Sequence, residues 1–186
     1  MRKLLPITLE NGRRLFDIEI FNGNVPISRF DCRINEYNDY LTKEAWRSQN
    51  DHIALTWLLR EKSNQGIAAY MSLIADAIKL NVNEKQRHNL NYPFKTVPAM
   101  KIAKLAVSAA YQERYKSLGT FMIATAVTIA RTCNETLFAC RFLTVDADLE
   151  HDEHVIVFYV KNGFLRNNEL FNKNRKTISM RKDIYN

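Results

Sequence analysis

The chain has 186 residues and a formal net charge of +7, from 27 lysines and arginines against 20 aspartates and glutamates. This length supports one well-buried core, and without a visible linker, repeat or low-complexity tract we predict a single domain over residues 1–186. The basic excess suits an anionic cofactor, a nucleic-acid substrate or an acidic protein partner. Charge alone does not choose among these or exclude a merely basic surface.

Neither membrane insertion nor secretion is predicted. The longest apolar run, around residues 121–130, is too short to span a bilayer. Residues 1–6 begin like a signal peptide, but no continuous apolar segment or small-residue cleavage site follows them. Cys32, Cys133 and Cys140 are an odd number of cysteines without CxxC spacing, which favours reduced thiols. We therefore expect a cytoplasmic protein.

The first predicted elements are a strand and a helix. Residues 15–20 alternate apolar and polar side chains, as in a half-buried strand, and Asn-Gly-Asn at 22–24 marks a turn after it. The triplet Phe-Asp-Cys at 30–32 then precedes a helical stretch over residues 35–48.

A β-hairpin is predicted next. Residues 52–60 and 67–74 form two strand-like runs, and the polar residues 62–66 form the turn between them. Residues 76–90 are polar and helix-compatible, and the prolines that follow end this segment before the next strand.

The centre of the chain predicts a strand, a polar turn and a buried helix. Residues 100–107 alternate apolar and basic side chains, which is the pattern of a partly buried strand. A polar segment over residues 112–117 interrupts this pattern. The almost uncharged run at 118–132 is long enough for a buried helix.

The start of this central helix is a candidate anion site. Gly119 lies in the first helical turn, where backbone N–H groups have no acceptor within the helix and no side chain blocks their approach. Arg114 and Lys116 add positive charge next to it. We therefore predict that an anionic ligand binds here.

The last third of the chain predicts a buried strand over residues 138–145 and a helix through 155–160. A final strand is expected at 178–180, with a weaker candidate at 165–171.

The acidic segment at 146–154 contains five carboxylates and two histidines, which invites a metal hypothesis. Asp152 and Glu153 directly precede the predicted helix, however, where negative charge complements the helix dipole. No glycine provides the sharp turn of an EF-hand loop. We predict no metal, and leave His151 or His154 as candidate bases near a substrate.

Two sequence motifs resemble the GNAT superfamily of N-acetyltransferases. The hexapeptide RYKSLG at 114–119 is similar to the R/Q-x-x-G-x-G/A loop of that superfamily, and FYVKNGF at 158–164 is similar to its FYxxxGF segment. LAV at 105–107 and YQ at 111–112 resemble its fourth strand. Ser117 stands where the superfamily usually has glycine, so it strains or loosens the loop if that position needs a positive φ.

The resemblance implies the GNAT fold, an α/β fold with a mixed, mostly antiparallel sheet flanked by helices. Its central parallel strands splay apart to admit the pantetheine arm of acetyl-CoA, the implied cosubstrate. The backbone N–H near Val107 is implied to polarise the thioester carbonyl. The residues implied to bind the cofactor are Leu105, Ala106, Val107, Arg114, Tyr115, Lys116, Ser117, Leu118, Gly119 and Thr120.

The resemblance assigns Tyr159 as the general acid that protonates the departing thiolate. A phenol with a pKa of about 10 is protonated at neutral pH and is suited to this role. The alternative is a core tyrosine whose hydroxyl binds the backbone. Tyr111 and Tyr115 are the other candidate acids.

The triplet at 30–32 resembles the FDCG sequence of one branch, the toxins of type II toxin–antitoxin modules, which acetylate aminoacyl-tRNA; Arg33 replaces the glycine. Many superfamily members carry a glutamate in the strand that 100–107 resembles, and it deprotonates the substrate amine; this chain has lysines there. Deprotonating a lysine-like amine at pH 7 costs roughly 4–5 kcal/mol, against about 1 kcal/mol for an α-amine.

The sequence therefore favours the α-amine of aminoacyl-tRNA as substrate and an antitoxin as partner. A protein amine, a small-molecule amine and a non-catalytic acyl-CoA sensor or nucleic-acid-binding module are the alternatives. The sequence leaves open whether the chain forms a homodimer.

Overall fold

A computed structural model describes residues 4–8, 14–27, 29–167 and 176–185. The chain divides into two compact units, the first formed by residues 1–74 and 103–122 and the second by 75–102 and 123–186. Among the described residues, no helix is both long and apolar enough to cross a membrane. The single domain expected from the sequence stays a prediction.

The strands of the first unit are antiparallel neighbours in chain order. They are β1 (Leu4–Thr8), β2 (Arg14–Ile20), β3 (Leu55–Glu61) and the first part of β4 (Ile67–Lys79). This confirms the predicted strand at 15–20 and the hairpin. The hairpin begins later than predicted because residues 52–54 belong to the turn after the preceding helix, with His52 at a φ of +56°.

The helix predicted at 35–48 forms in three pieces. Helix α1 (Asn35–Asp39) is followed by a π-helical turn (Tyr40–Glu44) and by α2 (Ala45–Asn50). The π-helical turn directs Tyr40 and Leu41 into the core of the first unit. That core comprises Phe21, Val25, Phe30, Tyr40, Leu41, Ala45, Leu58, Ile67, Tyr70 and Ala106.

The second unit contains the parallel pair of the mixed sheet. β5 (Thr96–Val107) pairs in parallel with β6 (Phe142–Asp148), from Ala99↔Phe142 to Ile102↔Val145. β8 (Thr177–Asp183) pairs antiparallel with β6 and with the short β7 (Leu165–Arg166). The parallel ladder ends at Ile102↔Val145, before either of its strands does, as expected for a splayed central pair.

The strand predicted at 138–145 is wrong at its beginning. Helix α5 (Leu118–Thr136) is longer than predicted, and Leu137 and Phe138 beyond it are 76% and 55% exposed. Asn134 near the helix end binds the backbone N–H and C=O of Cys140 through its side-chain amide. These bonds hold the chain in a closed turn, so the strand starts only at Phe142.

The remaining helices are short. α3 (Val82–Arg87) covers only part of the helix-compatible segment at 76–90, because β4 extends to Lys79. α4 (Ala109–Arg114) forms where a polar turn was predicted, and α6 (Val155–Lys161) confirms the helix predicted through 155–160. The final strand is confirmed as β8, whereas residues 168–171 of the weaker strand candidate lie outside the described residues.

Candidate active site

The end of β5 is held firmly within the first unit. Ala106 is buried in its core, and Leu105 and Val107 are half-buried on the other face of the strand. Lys104 forms an ion pair with Glu36 of α1, and its ammonium lies 4.8 Å from the centre of the Tyr37 ring. Helix α1 is thereby fixed against the strand segment that was predicted to face the thioester.

The loop between α4 and α5 needs a residue with a positive φ. Ser117 adopts a φ of +66°, a conformation that glycine enters without steric cost and other residues enter at a cost. The position at which the superfamily has glycine therefore keeps a glycine-like backbone here, with a serine side chain on it. The serine therefore adds conformational strain to the loop, while the backbone keeps the positive φ.

Helix α5 begins directly after Ser117. The Phe121 N–H donates to the Ser117 carbonyl at 2.9 Å, so Leu118, Gly119 and Thr120 form the first turn, whose N–H groups have no acceptor within the helix. No acidic residue lies in that turn. Leu118 is buried and anchors the helix, whereas Thr120 is exposed. This helix start has the geometry and the charge that an anion requires.

Tyr115 does not face the same way as the rest of the loop. Its ring packs edge-on against Phe16 at 5.1 Å, and its hydroxyl donates to Glu61 at 3.3 Å. Arg114 and Lys116 on either side of it are largely exposed. The sequence interpretation missed Glu61, whose only signal is an acidic residue at an inward position of an apolar strand.

Tyr159 lies on α6 and is 6% exposed. Burial raises the pKa of its phenol above the ordinary value of 10, and the negative charge of Asp148 raises the pKa further. The phenol is therefore protonated at neutral pH. Among the described residues no hydrogen-bond partner of its hydroxyl is found. By contrast, the hydroxyl of Tyr111 donates to the Glu61 carboxylate at 2.8 Å.

The glycine of the FYVKNGF motif explains the position of Tyr159. Gly163 follows α6 with a φ of +83°, and this left-handed turn lets the Phe164 N–H donate to the Tyr159 carbonyl at 3.0 Å. The ring of Phe164 then packs edge-on against Tyr159 at 5.2 Å, and the ring of Phe158 makes a similar contact at 5.1 Å. Two phenylalanine rings of the motif thus pack against the ring of Tyr159.

The Phe-Asp-Cys triplet links α1 to α4. Asp31 Oδ1 accepts hydrogen bonds from the Arg33 N–H at 2.7 Å and from Asn38 Nδ2 at 2.9 Å. The Asp31 carbonyl accepts from the N–H of Ala109, the first residue of α4, at 2.9 Å. Arg33, which replaces the glycine of the toxin branch, has a φ of +67° and pairs with Glu113.

The residues that remain to be placed are the histidines of the acidic segment and the cysteines. His151 binds Asp148 at 2.8 Å, and no group of three or more potential metal ligands is found in the described part of the chain. Burial raises the pKa of the Cys133 thiol and raises that of Cys140 to about 11. Both thiols are therefore mainly protonated at neutral pH.

Replacing Ser117 with glycine is expected to stabilise the protein by about 0.5–1 kcal/mol, because relief of the left-handed strain exceeds the backbone entropy of the added glycine. Urea unfolding measures this change. Ser117→Ala is the matched control, since it removes the hydroxyl but keeps the strained Cβ. Equal stability of the glycine and alanine variants would contradict the assignment of strain to this residue.

No family model matches the chain, and no curated protein matches it. Solved structures do. A tyrosine-to-phenylalanine variant of KacT matches with a TM-score of 0.71 at 18% identity, covering 89% of this chain and 94% of that chain. AtaT complexed with acetyl-methionyl-tRNAfMet matches with a TM-score of 0.70 at 22% identity, covering 88% and 93%.

A third match is a tyrosine-to-phenylalanine variant of the toxin AtaT bound to acetyl-CoA and the C-terminus of the antitoxin AtaR. Its TM-score is 0.67 at 19% identity, covering 88% of this chain and 91% of that chain. At identities this low, the structural matches establish a shared fold and nothing more. The shared fold agrees with the mixed sheet and its parallel pair described above. The chain has the GNAT fold of these acetyltransferase toxins.

Proposed function

We propose that this protein is an acetyl-CoA-dependent N-acetyltransferase that acetylates the α-amine of aminoacyl-tRNA. The observation that carries the proposal is the helix start at Ser117, which keeps the backbone conformation of a glycine although the residue is serine. A loop that retains a costly conformation at an acid-free helix N-terminus is suited to a diphosphate. The binding of acetyl-CoA by an AtaT variant supports the same cosubstrate.

The reaction needs one nucleophile and one acid from outside the cofactor. The amine nitrogen attacks the thioester carbonyl, a C–N bond forms, and the C–S bond breaks. Tyr159 gives its proton to the departing thiolate and afterwards regains one from solvent, while the attacking amine loses a proton to water. The protonated, buried phenol is suited to this step.

The substrate assignment is supported by charge and by the chemistry of β5. Both lysines of β5 form ion pairs, Lys101 with Asp146 and Lys104 with Glu36. The strand itself carries no carboxylate. A site without a strong base favours an amine of low pKa, as in an aminoacyl ester. The complex of AtaT with acetyl-methionyl-tRNAfMet supports this class, and the bound AtaR segment supports an antitoxin partner.

One observation favours an ordinary amine as acceptor. The Glu36 side chain, 56% exposed, brings a carboxylate to β5 from helix α1, although the strand has none of its own. A carboxylate there would assist the deprotonation of a more basic amine. A protein or small-molecule amine is therefore the second candidate.

The test incubates the protein with labelled acetyl-CoA and charged tRNA, beside peptides and polyamines. We expect label on charged tRNA and none on uncharged tRNA or on formyl-methionyl-tRNA, which lacks a free α-amine. Transfer should weaken steeply with salt, as phosphate contacts do. Label on peptides or polyamines but never on charged tRNA, with harmless overexpression, would leave an ordinary amine acetyltransferase.

A further inference from the structure

A buried carboxylate lies next to the proposed cofactor loop. Glu61 ends β3 and is only 5% exposed. Its Oε2 accepts hydrogen bonds from the Tyr111 hydroxyl at 2.8 Å and from Asn64 Nδ2 at 2.7 Å. Its Oε1 accepts from the Tyr115 hydroxyl at 3.3 Å and lies 3.6 Å from Arg114 Nη2. One side chain thus joins the hairpin turn after β3 to α4 and to the loop beyond it.

This carboxylate is charged at neutral pH. Burial raises the pKa of Glu61, but the hydrogen bond from Tyr111, the charge of Arg114 and the hydrogen bonds from Asn64 and Tyr115 outweigh burial. The pKa of this carboxyl therefore lies below its ordinary value. A buried charge is tolerated where it is paired and hydrogen-bonded, as here.

Tyr111, Tyr115 and Glu61 contact one edge of the Arg114 guanidinium. Its guanidinium carbon lies 5.8 Å from the centre of the Tyr111 ring and 5.3 Å from that of Tyr115. Nη2 alone makes its polar contacts in the described structure, with the Tyr115 hydroxyl at 3.4 Å and with Glu61. The side chain is 57% exposed, so Nη1 and Nε can donate to another anion.

The hairpin turn is shaped to admit Tyr111. A Cβ on Gly66 would lie 2.4 Å from the Tyr111 hydroxyl oxygen, so the Tyr111 side chain or the turn would have to shift. The Gly66 N–H donates to Asn64 Oδ1 at 2.7 Å, and this orients the Asn64 amide towards Glu61. The absence of a side chain at position 66 therefore leaves room for the Tyr111 hydroxyl beside Glu61.

We propose that Glu61 is a positioning residue for acetyl-CoA: with the rings of Tyr111 and Tyr115 it holds the Arg114 guanidinium in place to receive an oxyanion of the cofactor. This inference rests on the proposed function, because it presumes that acetyl-CoA binds at the start of α5. A fixed guanidinium loses less conformational entropy on binding a phosphate than a freely moving one.

Glu61 also has an opposite effect on the cofactor. Its negative charge repels a nearby phosphate, and taken alone it weakens anion binding. Positioning requires Arg114, whereas repulsion does not. The two effects are therefore separated by removing Glu61 in the presence and in the absence of the Arg114 guanidinium.

The experiment measures acetyl-CoA affinity by calorimetry for the wild type, Glu61→Gln, Arg114→Gln and the double variant. We expect Glu61→Gln to weaken binding about tenfold in the wild-type background, since a charge-assisted contact loses its fixed geometry. In the Arg114→Gln background the same change should leave binding unchanged or strengthen it. Glu19→Gln is the matched control, because Glu19 pairs with Arg60 at 2.6 Å on neighbouring strands; it should not alter affinity.

A purely structural role predicts an equal loss in both backgrounds, and that result would overturn the inference. Arg114→Lys decides the matter if Glu61→Gln does not fold, because it keeps the charge but not the stacked, planar donor group. We expect it to weaken binding several-fold, and unchanged affinity would count against positioning. A wild type that does not bind acetyl-CoA overturns the proposed function, and this inference with it. Binding by the wild type and equally by Glu61→Gln overturns the inference alone.

Discussion

Replacing Tyr159 with phenylalanine is expected to lower kcat about 10²–10⁴-fold while leaving the fold and the affinity for acetyl-CoA unchanged. Only the hydroxyl is removed, and the aromatic contacts with Phe158 and Phe164 remain. Because no hydrogen-bond partner of this hydroxyl is found among the described residues, its loss leaves no buried partner unsatisfied. Turnover with charged tRNA, together with acetyl-CoA binding, measures the effect.

Tyr92→Phe is the matched control, since Tyr92 is 41% exposed and also contacts a phenylalanine ring. It should leave kcat unchanged. The raised pKa of Tyr159 also predicts the pH dependence of wild-type kcat. The phenol stays protonated as the pH rises from 7 to 9, so its titration should not lower kcat over that range. Wild-type turnover in Tyr159→Phe would place the acid elsewhere or show that the thiolate leaves unassisted.

Gly119→Asp is expected to weaken acetyl-CoA binding about 100-fold or more. Two like charges about 4 Å apart repel by about 4 kcal/mol at an effective dielectric constant near 20. The same carboxylate lies in the first turn of α5, where it complements the helix dipole and favours folding by about 0.3–1 kcal/mol. The variant should therefore remain folded while it loses the cofactor, which calorimetry and urea unfolding distinguish.

Ala124→Asp places the same charge at an exposed position of the same helix beyond its first turn. It serves as the control and should bind acetyl-CoA normally. If Gly119→Asp binds as well as this control, the diphosphate does not lie at the start of α5.

Local sequence patterns predicted the elements that carry the candidate site. Helix α5 begins at Leu118, so Gly119 lies in its first turn as the start of the apolar run predicted, although α4 occupies part of the polar turn expected before it. The Phe-Tyr motif places Tyr159 on a helix that begins just after acidic residues, also as expected. In both cases the relevant interactions join residues close in sequence, so periodicity and motif spacing contain the information.

Errors arose where the outcome depends on one specific side-chain contact rather than on a local pattern of hydrophobicity. Glu61 reads as an ordinary charged residue at a hairpin end, and only its pairing with Phe16 and its contact with Tyr111 show that it is buried. The segment at 138–140 is apolar enough for a strand. The side chain of Asn134 instead hydrogen-bonds this segment to the end of α5. A hydrophobicity average over several residues does not reveal the effect of a single side-chain amide.

Arg33 and Ser117 also bear on how such a chain can be recognised. A family model scores letters, and at both positions it meets a substitution in place of glycine. The backbone there still follows the torsion angles that glycine would adopt, with φ values of +67° and +66°. A comparison of sequences scores the change of residue at these two positions, whereas the backbone angle itself does not report which residue carries it. A glycine-like backbone can thus be present at positions where the residue is not glycine.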